Sequence, residues 1–165
     1  MQKYVAIVGS SEATSEEIEA ARGAGSWLAS RGVVVVTGGL GGVMEAACEG
    51  VASQRGVSIG LLPGGSRDDG NQHLTFSLPT GLGELRNGLL VRSADVVLAL
   101  GGSWGTLSEI ALAARTGVPV IKLHGWELPA SSGVTQVETL AEALRAVWFH
   151  LGAPDAEPEP RIGSG

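Results

Sequence analysis

The chain has 165 residues, 44% of them hydrophobic and only 17% charged, which fits one folded domain with a real core and excludes a disordered chain. Its formal net charge of −6 and the lack of a basic stripe argue against a nucleic-acid partner. The single cysteine, Cys48, excludes an intrachain disulfide and a cysteine-based zinc site.

In chain order, "YVAIVGS" (4–10) reads as a buried strand. "SEEIEAARGAGSWLASRG" follows with helical spacing, and Thr14 and Glu17 open it as a capping box. "VVVV" (33–36) reads as a second buried strand, ending in "TGGLGG", and "VMEAACEGVASQRG" as a helix. "VSIGLL" (57–62) is a third strand. The stretch from Pro63 to Gly83 has no convincing period; "LTFSL" suits a short extra strand within it, and a loop this long is often functional. "ELRNGLLVRSA" reads as a helix, "DVVLALG" as the fourth main strand, "TLSEIALAARTG" as a helix and "VPVIKL" (118–123) as a fifth strand. "VETLAEALRAVWFHLG" closes the pattern as a helix. The tail, 153–165, has the composition of a disordered segment. The opening residues run straight into a strand pattern rather than a leader, and no apolar run has membrane-span length, so the expectation is a cytoplasmic protein without a membrane partner.

Continuously apolar strands alternating with helices predict a single Rossmann-like, doubly wound α/β domain over residues 1–152. Its sheet should be mainly parallel, with helices on both faces. Right-handed crossovers would set the first, second and fourth main strands side by side. Their following loops then meet at the carboxyl edge of the sheet, where ligands bind in such folds.

Two of these loops share a spacing. Gly38-x-x-Gly41-x-x-x-Glu45-x-Ala47 repeats as Gly102-x-x-Gly105-x-x-x-Glu109-x-Ala111, each between a strand and a helix. Glycines bring backbone N–H groups close to a ligand, and a helix start attracts anions. Together they suit a phosphate, although tight strand-to-helix turns alone would also use glycine. The candidate ligand-binding residues are Gly9, Ser10, Gly38, Gly39, Gly41, Gly42, Gly101, Gly102, Ser103, Trp104, Gly105 and Thr106, with Asn87 at the helix start nearby. Neither loop is a Walker A motif, and the first strand is not followed by G-x-G-x-x-G, which favours a smaller phosphate-bearing ligand over a full dinucleotide. Trp104 could stack on a ring or cover the loop. Glu109 could act on a ligand, or cap its own helix in a Thr106-x-x-Glu109 box. Arg86 opens a helix whose dipole disfavours a cation there, so a phosphate or Glu109 should hold it. Met44 reads as core. Asn71, Thr80 and Gly83 edge the expected cleft. The three histidines are too scattered for a metal site.

"TGGLGGVMEAA", "RNGLLVRSADVVLAL" and "GGSWGTLSE" resemble the LONELY GUY (LOG) superfamily. The G-G-x-x-G-x-M motif of that family falls on Gly38, Gly39, Gly42 and Met44. Its P-G-G-x-G-T-x-x-E falls on Gly102, Gly105, Thr106 and Glu109, and its functional arginine on Arg86. The enzymes of the superfamily are nucleoside 5′-monophosphate phosphoribohydrolases, so the resemblance implies catalytic roles for Arg86 and Glu109 if the chain is an enzyme. Asn87 stands where those enzymes have lysine, and Gly101-Gly102-Ser103 where they have Pro-Gly-Gly. With "PTGLGELRN", these departures resemble the subgroup of molybdenum cofactor carrier proteins. The resemblance therefore implies a carrier of a nucleotide or molybdenum cofactor, with no resident cofactor required, and a homo-oligomer.

Overall fold

The apolar runs become the strands of one sheet in the computed structural model, which describes residues 1–152; the tail expected to be disordered lies outside the described residues. The elements are β1 (Tyr4–Gly9), α1 (Ser15–Ala29), β2 (Val34–Thr37), α2 (Val43–Ser53), β3 (Ser58–Leu62), β4 (Phe76–Pro79), α3 (Arg86–Arg92), β5 (Val96–Leu100), α4 (Trp104–Thr116), β6 (Val120–Leu123), β7 (Thr135–Val137) and α5 (Leu140–His150). The sheet order is β4-β3-β2-β1-β5-β6-β7. Every pairing is parallel. The single Rossmann-like α/β domain is as expected, and the sheet is parallel throughout.

Side chains alternate across each strand and so divide the core into two layers. Val5, Ile7, Val35, Leu98 and Ile121 pack under α1, α2 and α5. Ala6, Val8, Val36, Val97 and Ala99 pack under α3 and α4. Both faces are covered, which is why the central strands contain few polar residues. Helices α1 and α2 touch backbone to backbone: a Cβ on Gly25 would lie 2.1 Å from the Ala47 carbonyl, and one on Gly50 2.1 Å from that of Arg22. Among the described residues no helix is long and apolar enough to cross a membrane.

Three local features differ from the sequence reading. "TQV" forms β7, an edge strand too short and too polar to show a period. The last helix consequently starts later, at Leu140, with Thr139 and Glu142 forming a capping box like that of Thr14 and Glu17. Helix α4 starts at Trp104, with Ser103 as its cap: Ser103 Oγ accepts the Thr106 N–H at 3.2 Å. The Thr106–Glu109 box therefore does not form, and Glu109 lies inside the helix, where it caps nothing.

Candidate functional site

Because β2, β1 and β5 are neighbours, the loops leaving their carboxyl ends converge. The first two are tied directly: the Val43 N–H, at the start of α2, donates to the Ser10 carbonyl at 3.0 Å. That contact needs glycine at 42. Its φ is +62°, and a Cβ there would sit 2.3 Å from the Ser10 oxygen. The third loop turns at Gly101, with φ of +71°, and packs against Glu17, the residue that closes the α1 capping box.

A cleft of about 460 Å³ opens between these loops and the start of α3. Of the residues singled out from sequence, Gly9, Arg86, Asn87, Ser103, Trp104, Gly105, Thr106 and Glu109 line it. Ser10, Gly38, Gly39, Gly41, Gly42, Gly101 and Gly102 are not part of that lining, and Gly42 lines a separate depression. Gly38 lies under the Arg86 guanidinium, Gly39 turns with φ of +78° against Leu62, and Gly102 packs on Trp126. Five lining residues carried no sequence signal, Ser11, Leu40, Pro63, Glu84 and Ser108, while Gly83, placed at the cleft edge from sequence, and Met44, read as core, also line it. Met44 is both nearly buried and part of the wall.

The long segment after β3 folds back to hold the second glycine loop. The Asn71 side-chain amide donates to the Gly39 and Leu40 carbonyls, at 3.3 and 3.0 Å. Thr80 Oγ1 donates to the Leu62 carbonyl at 2.8 Å. Both residues position the cleft wall from behind. No periodicity could have announced this, because each bond joins segments distant in the chain.

The chemistry concentrates where α3 meets α4. Arg86 and Glu109 are 7% exposed each, and Arg86 Nη1 lies 3.5 Å from Glu109 Oε1. Nη1 also donates to Asn87 Oδ1, and Nη2 to the Gly38 carbonyl at 3.5 Å. The Asn87 amide in turn donates to Ser108 Oγ at 3.1 Å. Asn87 thus ties the arginine to α4. The Arg86 Nε–H is buried and has no partner among the described residues. Burial pushes the Glu109 carboxyl up to about 7, against the opposing pull of Arg86. Burial also lowers the Arg86 pKa, opposed by Glu109 and then Glu84.

Trp104 is 77% exposed at the mouth of the cleft and pairs with Trp126, ring centroids 4.8 Å apart. The Trp126 indole N–H donates to the Ser103 carbonyl at 3.0 Å, so it braces the loop as well as the ring. Among the described residues, hydrogen bonds occupy the Thr106 and Leu107 N–H groups of α4 but not those of Trp104 and Gly105. No three His, Cys, Asp or Glu side chains gather as a metal set among the described residues. His73 lies away from this cleft, in a second depression with Arg22, Glu45 and Glu49.

The parallel sheet, its converging glycine loops and the buried arginine–glutamate pair define a Rossmann-like domain with a small cleft at the switch point. The chain belongs to the SLOG cluster4 family, whose model matches residues 2–147. An uncharacterized protein of Archaeoglobus fulgidus is 36% identical over 119 residues, covering 72% of this chain and 78% of its own. The fold is similar to the molybdenum cofactor binding protein from Rippkaea orientalis: TM-score 0.84, 30% identity, 92% of this chain and 98% of that one. It is also similar to the molybdenum cofactor carrier protein of Chlamydomonas reinhardtii, with TM-score 0.80 and 26% identity over 92% of this chain and 99% of that one. DNA processing protein A from Helicobacter pylori, 20% identical with TM-score 0.69 over 89% of this chain and 80% of that one, shares the fold alone. The resemblance to the LOG superfamily and its molybdenum cofactor carrier subgroup therefore holds.

Proposed function

We propose that the cleft binds a small phosphate-bearing ligand, a molybdenum cofactor or a nucleotide, and that the protein carries this cargo without transforming it. The observation that carries the reading is Arg86: a buried guanidinium on the cleft wall whose Nε–H lacks a partner. An unpaired buried donor costs free energy that a ligand oxygen would recover. The cargo fits the residues present. Its phosphate would be held by Arg86 and by the Trp104 and Gly105 N–H groups at the start of α4, where the helix dipole favours an anion. Its flat ring would lie against Trp104, whose exposed face is otherwise costly to leave in water. Glycines 38, 39, 41, 42, 101 and 102 would shape the loops, and Gly9 and Ser10 would close the floor. The similarity to molybdenum cofactor binding and carrier proteins supports cofactor as the cargo.

The test is calorimetric binding of molybdenum cofactor and of nucleoside 5′-monophosphates to the purified protein and to Arg86→Ala. Binding that the variant loses supports the reading; binding that it retains, or no binding by either, overturns it.

Glu109 favours a second reading, as a nucleoside 5′-monophosphate phosphoribohydrolase. A buried carboxyl titrating near neutrality beside the ligand can hold or give a proton at a breaking N-glycosidic bond. Asn87 in place of lysine removes a cation from the wall and is why carriage is preferred. Free base released from a nucleoside 5′-monophosphate, and abolished in Glu109→Gln, would establish the hydrolase. No release with any of them would eliminate it.

Self-association accompanies the proposal. Leu82, Leu85 and Leu89, beside the cleft at the start of α3, are 45%, 80% and 48% exposed, a run of apolar surface that a second copy would cover.

A further inference from the structure

We propose that the cleft takes up its anion together with a proton: a dianionic group draws Arg86 away from Glu109, and Glu109 is protonated as it binds. The inference rests on the reading of the cleft as an anion site and adds how that site is regulated.

The argument begins with what surrounds the carboxylate. Glu109 accepts no hydrogen bond among the described residues, and its one ion-pair partner is Arg86 at 3.5 Å. The other charged residue on the cleft lining is Glu84, from the turn entering α3, which is also acidic. Helix α2 and the loop before it bring only Leu40 and Met44 to the wall. Helix α4 and its cap bring Ser103, Trp104, Gly105, Thr106 and Ser108, none of them cationic. Strand β1 and the loop after it bring Gly9 and Ser11, and the segment after β3 adds Pro63 and Gly83. Arg86 is therefore the only cation lining the cleft among the described residues. Asn87 occupies the place where a second would stand in the related enzymes.

A dianion at Arg86 would put two acidic groups around one guanidinium in a largely desolvated place. Separated from its partner, an ionised Glu109 would be a buried charge with nothing to offset it. Taking one proton from solvent removes that charge and leaves the whole guanidinium to the ligand. The carboxyl already titrates at about 7, so the proton is available near neutral pH at little cost. The only bond formed is the O–H of Glu109, with its proton drawn from solvent, and no oxidation or group transfer is involved. Conversely, loss of the proton from Glu109 restores its hold on Arg86 and expels the anion, a release step suited to a carrier.

Sulfate is the probe, because it stays a dianion across the range tested and any proton taken up belongs to the protein. Calorimetric titrations from pH 6 to 9 should show affinity for the wild type falling above pH 7, approaching about tenfold per pH unit as the binding-competent fraction declines. Titrations in two buffers of different ionisation enthalpy should show uptake of about one proton per sulfate at pH 8. Glu109→Gln should bind with neither the slope nor the proton. Sulfate binding to the wild type with no proton uptake, or a slope that survives in Glu109→Gln, overturns this inference and leaves the anion site standing. No sulfate binding by the wild type at any pH overturns the anion-site reading itself.

Discussion

Arg86 Nη1 stands 3.5 Å from Glu109 Oε1, with both side chains buried at the cleft. The contact joins the first residue of α3 to the second turn of α4, and it sets the first expectation. The Glu109 carboxyl titrates at about 7 in the fold against an ordinary value of 4.5. Between those values the folded state holds more protons than the unfolded one. The contribution of this group to stability therefore falls as pH rises from about 4.5 to about 7. The shift corresponds to about 3 kcal/mol. Urea unfolding at pH 4.5 and pH 8 should show the wild type losing about that much relative to Glu109→Gln; parallel pH profiles would mean that Glu109 titrates as an ordinary carboxylate.

Arg86 should respond differently to its two simplest replacements. Arg86→Ala removes a charged donor and should weaken binding of a nucleoside 5′-monophosphate or molybdenum cofactor roughly 10- to 100-fold. Arg86→Lys keeps the charge but loses the fork that reaches Asn87, Gly38 and Glu109 together. It should recover only part of the affinity. Full recovery would show that charge alone matters at this position.

The glycines should separate into two groups. Gly42→Ala puts a Cβ into the Ser10 carbonyl at a positive φ and should cost about 2–4 kcal/mol in unfolding experiments. At Gly105 the nearest atom to a new Cβ is Ser103 Oγ, 3.7 Å away. Gly105→Ala should leave the fold unchanged or up to about 1 kcal/mol more stable, because alanine favours a helix. Since residue 105 lines the cleft, the same variant should still bind ligand less well. A Gly105→Ala protein with unimpaired binding would move the ligand away from the start of α4.

Trp104 is exposed enough that Trp104→Ala should change stability by no more than about 0.5 kcal/mol. Loss of a stacking face should nevertheless weaken binding of a ring-bearing ligand roughly five- to tenfold, while leaving sulfate unaffected. Equal loss for both ligands would give the indole a role in shaping the loop through Trp126 rather than in stacking.

The apolar run at Leu82, Leu85 and Leu89 predicts association that Leu85→Asp reverses. Light scattering should give a smaller mass for the variant than for the wild type; one mass for both would place any interface elsewhere.

The sequence by itself determined the sheet. Unbroken apolar strands such as "VVLAL" are stable only when both faces are covered, which requires parallel strands and crossover helices. The order of β2, β1 and β5 follows from right-handed connections, and so does the meeting of the three loops. The unfavourable helix dipole at Arg86 pointed to Glu109 as its partner, and the likeness of the motifs to the LOG superfamily gave both residues their possible catalytic roles. Of the two edge strands, "LTFSL" announced β4, but β7 escaped, because "TQV" buries too little to impose a period.

Only the tertiary structure decided what each residue touches. Gly105 and Gly102 occupy one motif, yet one lines the cleft and the other packs on Trp126. Ser103 rather than Thr106 caps α4, and Asn87 ties Arg86 to Ser108. Gly38 and Arg86 meet across 48 residues of chain. Periodicity records how one element is buried. A cleft is made by elements that are not neighbours in sequence, and its lining depends on their relative placement to within a few tenths of an ångström.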